Sequence, residues 1–224
     1  MEARDRRKVD NFAAGVVAFG LIPETKLKTP HDGRKGERAE HIYRVAAQIM
    51  CEKGYEATSM KDIAEAVGLT KAGIYHYILG KEDLLFQIMS FAMDMVDEEV
   101  VAPARAVADA EQRLRTIVER HARRILEMGG AVTSILEEMA ALTPAHRRAI
   151  RVRKRAYFDL LRRTLEELGG EGRLREVSPT VAAFNLLGMI NWISRWYRPD
   201  GKLTPRETLR DFQIIALNAV LRNV

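Results

Sequence analysis

The chain has 224 residues, 47% hydrophobic and 30% charged, the proportions of a globular protein with enough length for a sizeable core. Its net charge of +5 suits a nucleic-acid partner without singling one out. A lone cysteine, Cys51, excludes an intrachain disulfide framework. No run approaches the roughly 18 apolar residues of a membrane span, so a reducing, cytoplasmic setting with no membrane partner is expected.

Residues 1–36 carry an excess of three positive charges. Pro23, Pro30, Gly33 and Gly36 argue against a long helix there. This stretch reads as a basic arm, either adding phosphate contacts or serving as a leader with no fixed role. The apolar run 12–22 behind the first arginines is short for a secretory signal and lacks a clear cleavage site.

Helical periodicity begins near Glu37, where Ile42, Val45, Ala46, Ile49 and Met50 fall on one face, and Gly54 ends the helix. Ser59 caps the next helix, with Asp62 three residues on at its positive end. Gly68 supplies a turn, and Thr70 caps a third helix running to about Tyr77. A fourth opens at Gly80–Lys81 and continues to about Val100, with Pro103 closing it. Beyond it lie helical stretches at about 109–128, 131–142, 144–168, 178–197 and 204–222, punctuated by Gly129–Gly130 and Gly169–Gly170. Thr143, Ser178 and Thr204 each precede a proline suited to the first helical position. No segment alternates with period two, so the fold expected is all-α, with about nine helices.

A helix-turn-helix needs a small residue where its helices meet, a turn, and a second helix with a free outer face. Ala64 and Gly68 meet the first two needs, with Ile63, Val67, Leu69 and Ile74 available to bury. Thr70, Lys71, Ala72, Gly73, Tyr75 and His76 are left at the start and outer face of the second helix, where small residues allow close approach and polar ones reach phosphates or base edges. Ser59 and Lys61 flank this surface. Thr58–Ser59, Ile63–Ala64, Gly68, Gly73, Tyr75, Lys81, Leu84 and Leu85 together resemble the N-terminal pattern of the TetR family of transcriptional regulators.

The resemblance implies a DNA-binding domain over 37–82 and a ligand-binding and dimerisation domain over 83–224. It also implies a two-fold operator in double-stranded DNA, and repression relieved by a hydrophobic effector. It places Thr58, Lys71, Tyr75 and His76 near DNA and Lys81 on a phosphate. Ile78 stands where the family's pattern has phenylalanine, and Leu79–Gly80 where it has a more polar turn. Between Glu37 and Lys81, acids and bases balance, so phosphate affinity must come from local geometry, helix termini or the arm.

In the second half, Leu186, Met189, Ile190 and Ile193 on one helix and Phe212, Ile215, Ala216 and Ala219 on the last form apolar stripes. They suit either a homodimer interface or the interior of one subunit. Trp192 and Trp196, four residues apart with Arg195 beside them, can stack on and neutralise a large anionic ligand, or simply pack a helix end. Their stretch, 188–205, resembles the family's subgroup that senses acyl-coenzyme A thioesters in fatty-acid, aromatic or steroid-ring degradation. His121, Met128, Ile135, Met139 and Phe158 are the candidate lining of an apolar tunnel for such an effector. The arginine run from Arg147 to Arg155 reads as a solvated face or a phosphate site. The five histidines form no HExxH pair, no Gly-rich phosphate loop or GxSxG elbow occurs, and no metal-ligand spacing appears, so neither an enzyme nor a cofactor is expected. The rival within the family is a sensor of drugs or other hydrophobic compounds that controls efflux.

Overall fold

The computed structural model describes residues 33–128 and 138–222. Helix α1, Gly33–Lys53, starts a turn earlier than the periodicity predicts, and Gly54, at φ 86°, ends it in the left-handed conformation. Helix α2, Met60–Ala66, opens on a reciprocal box: Ser59 Oγ accepts from the Asp62 amide and the Asp62 carboxylate accepts from the Ser59 amide. Helix α3, Lys71–Ile74, begins where Thr70 Oγ1 takes the Gly73 amide at 3.0 Å. It is shorter than expected, its C-terminal end passing into turns that reach Tyr77.

Helix α4, Lys81–Val96, does not stop before Pro103. It passes through a π-helical turn, Asp97–Val101, into α5, Ala102–Arg105. Pro103 has no amide to donate, yet the helix continues past it, and in this stretch Arg120 of the next helix donates to the Glu99 carbonyl at 3.2 Å.

Helix α6, Ala110–Met128, is the central post of the second half, with α7 (Pro144–Gly170), α8 (Pro179–Trp196) and α9 (Pro205–Val220) packed around it. A 3₁₀ turn, Met139–Ala141, precedes α7. Thr143 caps α7, and Thr204 with Glu207 forms a capping box on α9. Ser178 precedes α8 without a side-chain cap bond. Residues 1–32 and 129–137, which include the basic arm and most of the predicted helix at 131–142, lie outside the described residues. Among those described there is no strand, and no helix is long and apolar enough to cross a membrane.

Two apolar cores result. The first gathers Ile42, Ile63, Ala64, Val67, Ile74, Ile78, Leu84 and Leu85 from α1–α4. The second gathers Leu114, Ile117, Val118, Leu161, Leu165, Leu186, Ile190 and Ile193 from α6–α8, with Phe212 and Ala216 of α9. Leu142 and Ile150, from the start of the α7 region, are buried in the first core rather than the second. Arg173 pins the far end by holding Asp109 at 2.9 Å, Glu111 at 2.6 Å and Glu171 at 3.0 Å.

Candidate nucleic-acid interface and effector region

The reading surface is built by α2 and α3. Gly68, at φ 67°, turns the chain between them, and the buried Ile63, Val67 and Ile74 hold the helices together. What remains outside at α3 is Lys71, Ala72, Tyr75 and His76, with Tyr75 44% exposed. A short helix with small residues at its start and polar rings at its end can enter a major groove and reach base edges or phosphates.

Four neighbours placed near DNA from the sequence also have partners within the chain. Thr58 is buried, its hydroxyl donating to the Gly54 carbonyl at 2.9 Å, so it secures the α1–α2 turn and presents nothing outward. The hydroxyl of Ser59 is engaged in the α2 cap. Gly73 is half-buried beneath the Thr70 hydroxyl, where an added Cβ would stand 3.2 Å from Oγ1. Lys81 donates to the Glu56 carbonyl at 3.1 Å and lies 4.3 Å over the Tyr55 ring, which ties its ammonium to the loop before α2. Lys61 is exposed and paired with Glu65 at 3.6 Å, and exposed Thr70 caps α3. Ile78 fills its core slot at 1% exposure, while Leu79 projects into solvent.

The effector candidates divide among three places. His121 is buried in the second core and shares a 2.9 Å hydrogen bond with the Tyr157 hydroxyl, a partner 36 residues away that no local pattern announces. Burial lowers the His121 pKa to about 4 and pushes the Tyr157 hydroxyl far above its ordinary value, so both are neutral. Phe158 lies at the edge of that core, its ring centroid 4.4 Å from that of exposed Phe184 on α8. Met139 is displaced from this group: it packs against the first core. Ile135 lies outside the described residues, as does the side chain of Met128.

Trp192, Arg195 and Trp196 are on the outer face of α8, the tryptophans 64% and 46% exposed, so within one protomer they do not converge with His121. They belong to a stripe at helical spacing: Val181, Phe184, Gly188, Trp192 and Trp196 are all exposed, and α9 adds Ile214, Ile215 and Ala219. The apolar surface predicted for dimerisation is thereby corrected. Leu186, Ile190, Ile193, Phe212 and Ala216 point into their own subunit, Met189 is half-buried, and only Ile215 and Ala219 of the residues named remain outside. Both faces of α8 are apolar, and periodicity alone cannot say which one a partner takes.

The arginine run at the start of α7 also divides. Arg147 donates to the Ala140 and Leu142 carbonyls, and Arg153 to the Ser90 carbonyl and the Asp94 and Asp97 carboxylates. Arg148 and Arg151 are exposed. An open groove of about 400 Å³ runs between Glu99–Pro103 and the outer face of α6, where Arg120, Arg123 and Arg124 stand among Glu99, Glu119 and Glu127. Acids and bases cancel there. Burial pushes the Cys51 thiol up to about 12, which keeps it in the thiol form.

Comparison with known proteins supplies the context for this geometry. Residues 42–88 match the bacterial regulatory proteins of the tetR family, and residues 107–220 match the tetracyclin repressor-like C-terminal domain. The transcriptional repressor KstR2 of Rhodococcus jostii (strain RHA1) is 28% identical over 193 residues, 84% of this chain and 93% of that protein. AibR, solved with isovaleryl coenzyme A and operator DNA, is 38% identical, with TM-score 0.74 over 80% of this chain and 97% of its own. PfmR from Thermus thermophilus is 34% identical, with TM-score 0.71 over 79% of this chain and 97% of its own. With both halves matched and its helix-turn-helix formed, the chain belongs to the TetR family of bacterial transcription regulators.

Proposed function

We propose that this protein is a homodimeric repressor that holds a two-fold operator with its two α3 helices and releases it on binding an acyl-coenzyme A thioester. The observation that carries the reading is the outer stripe of α8 and α9. Exposed apolar and aromatic residues in this number mark an interaction site, and a two-fold partner copy is what an operator with two half-sites requires. Trp192 and Trp196 with Arg195 at the end of that stripe offer ring faces and a guanidinium to a nucleotide-bearing ligand at the subunit rim. The neutral His121–Tyr157 pair supplies a polar anchor inside a mostly apolar core, fitting a thioester whose acyl part is buried. KstR2 is a repressor, a precedent for repression, and AibR has been seen with isovaleryl coenzyme A and operator DNA, a precedent that favours a thioester over a drug.

Native mass spectrometry of the full chain, mixed with acyl-coenzyme A of short, branched and long chain length, tests this directly. The expected species is a dimer carrying up to one thioester per subunit. A monomer, or a dimer that retains none of the thioesters, contradicts the reading.

A further inference from the structure

Helices α4 and α7, each of which serves both cores, are joined beside the first core by a small polar junction that neither the DNA-reading surface nor the effector region uses. Glu82 lies in the first turn of α4, just before Leu84 and Leu85, which are buried in the first core with the reading helices. Its Oε1 accepts the backbone amide of Thr143 at 2.8 Å and Nδ1 of His146 at 2.9 Å, both in the opening turn of α7. The His146 ring stacks on Phe86 of α4, with centroids 3.8 Å apart and planes 3° from parallel. Helix α7 runs on from there for 27 residues and delivers Tyr157, Phe158 and Leu161 to the second core.

The arrangement makes Glu82 a capping anion supplied from another element. Its carboxylate sits at the positive end of a long helix and accepts one of the amides that the helix leaves free. Burial raises the Glu82 pKa, but the hydrogen bonds from Thr143 and His146 together outweigh it, leaving the carboxyl below its usual range. Leu142 and Ile150, on either side of the junction in sequence, are buried in the first core. Apolar surfaces slide over one another at small cost, whereas these two hydrogen bonds hold at one register only.

We propose that Glu82 and His146 are positioning residues for DNA recognition: their hydrogen bond locks the first turn of α7 to the reading head and carries the coupling between operator and effector region. The inference rests on the DNA-binding reading above. Operator engagement that fixes α4 thereby fixes the start of α7, and by reciprocity a ligand that shifts α7 shifts the reading head.

The test measures amide hydrogen exchange over residues 138–150 in the full-length protein, with and without a duplex selected from a random pool. In the wild type, bound duplex slows exchange there about fivefold or more, the ordinary size of such coupling. H146N keeps a donor at the position of Nδ1 and retains the effect. H146F keeps the ring over Phe86, loses the donor and reduces the effect severalfold, the Thr143 amide bond remaining. E82Q, which keeps the size and removes the charge, weakens it and serves as the comparison should H146F fail to fold. Unchanged exchange in the DNA-bound wild type overturns the proposal. So does an H146F protein that transmits like the wild type, or an H146N protein that fails as H146F does. A chain that selects no duplex removes the DNA-binding reading itself.

Discussion

His121 sits among hydrocarbon with the Tyr157 hydroxyl for a hydrogen-bond partner, and burial draws its pKa down to about 4. In the unfolded chain the same imidazole titrates near 6.5. Its folded value is depressed, so its neutral form contributes fully above pH 6.5, and the contribution is lost as pH falls from there toward 4. The gap corresponds to about 3 kcal/mol. Urea unfolding of the wild type is expected to show stability falling across that window, and H121Q, which leaves Tyr157 an acceptor, to lack that part of the slope. Parallel pH curves for the two proteins contradict the assignment. His121 was legible in the sequence as a candidate, but its role was not, because the partner that fixes it stands on another helix. Thr58 teaches the converse. Its place in the motif suggests DNA, yet a threonine hydroxyl just past a helix end can bond back to the chain, and this one takes the Gly54 carbonyl.

At the scale of elements, capping and turn chemistry foretold most of what is seen. Ser59, Thr70, Thr143 and Thr204 all cap where expected. Gly68 turns the chain between the two reading helices at positive φ, and nothing lies within 4 Å of the position a Cβ would take. Gly68→Ala therefore carries a conformational cost alone, about 1 kcal/mol. Urea unfolding should shift by that amount with its cooperativity intact, and an unshifted curve would mean the left-handed turn is not held. Pro103 is where local rules misled. Proline normally stops a helix because a carbonyl one turn back loses its donor; here a π-helical turn precedes it, and Arg120, from another helix, donates to the Glu99 carbonyl within that turn. No reading of residues 97–105 alone could anticipate a partner supplied from α6. The junction at Glu82 escaped for the same reason, since it joins residues more than sixty apart.

For the whole molecule, the family resemblance fixed the architecture, and the amphipathic stripes marked α8 and α9 as important. Which stripe faces outward needed the packed chain. With Leu186, Ile190 and Phe212 inside, a charge on the outer face tests association without attacking the core. Trp192→Glu with Ile215→Glu is expected to give a monomer by sedimentation with unchanged helicity, and with operator affinity lowered at least tenfold as two linked half-site contacts become one. A doubly substituted protein that remains dimeric places the interface elsewhere. The central claim, that a thioester releases this regulator from DNA, is tested most directly by fluorescence anisotropy. A labelled duplex selected by the protein is saturated with it and titrated with acyl-coenzyme A of graded chain length. Anisotropy is expected to fall to that of free duplex with at least one thioester while free coenzyme A leaves it unchanged; a complex that survives every thioester at saturation excludes thioester-driven release.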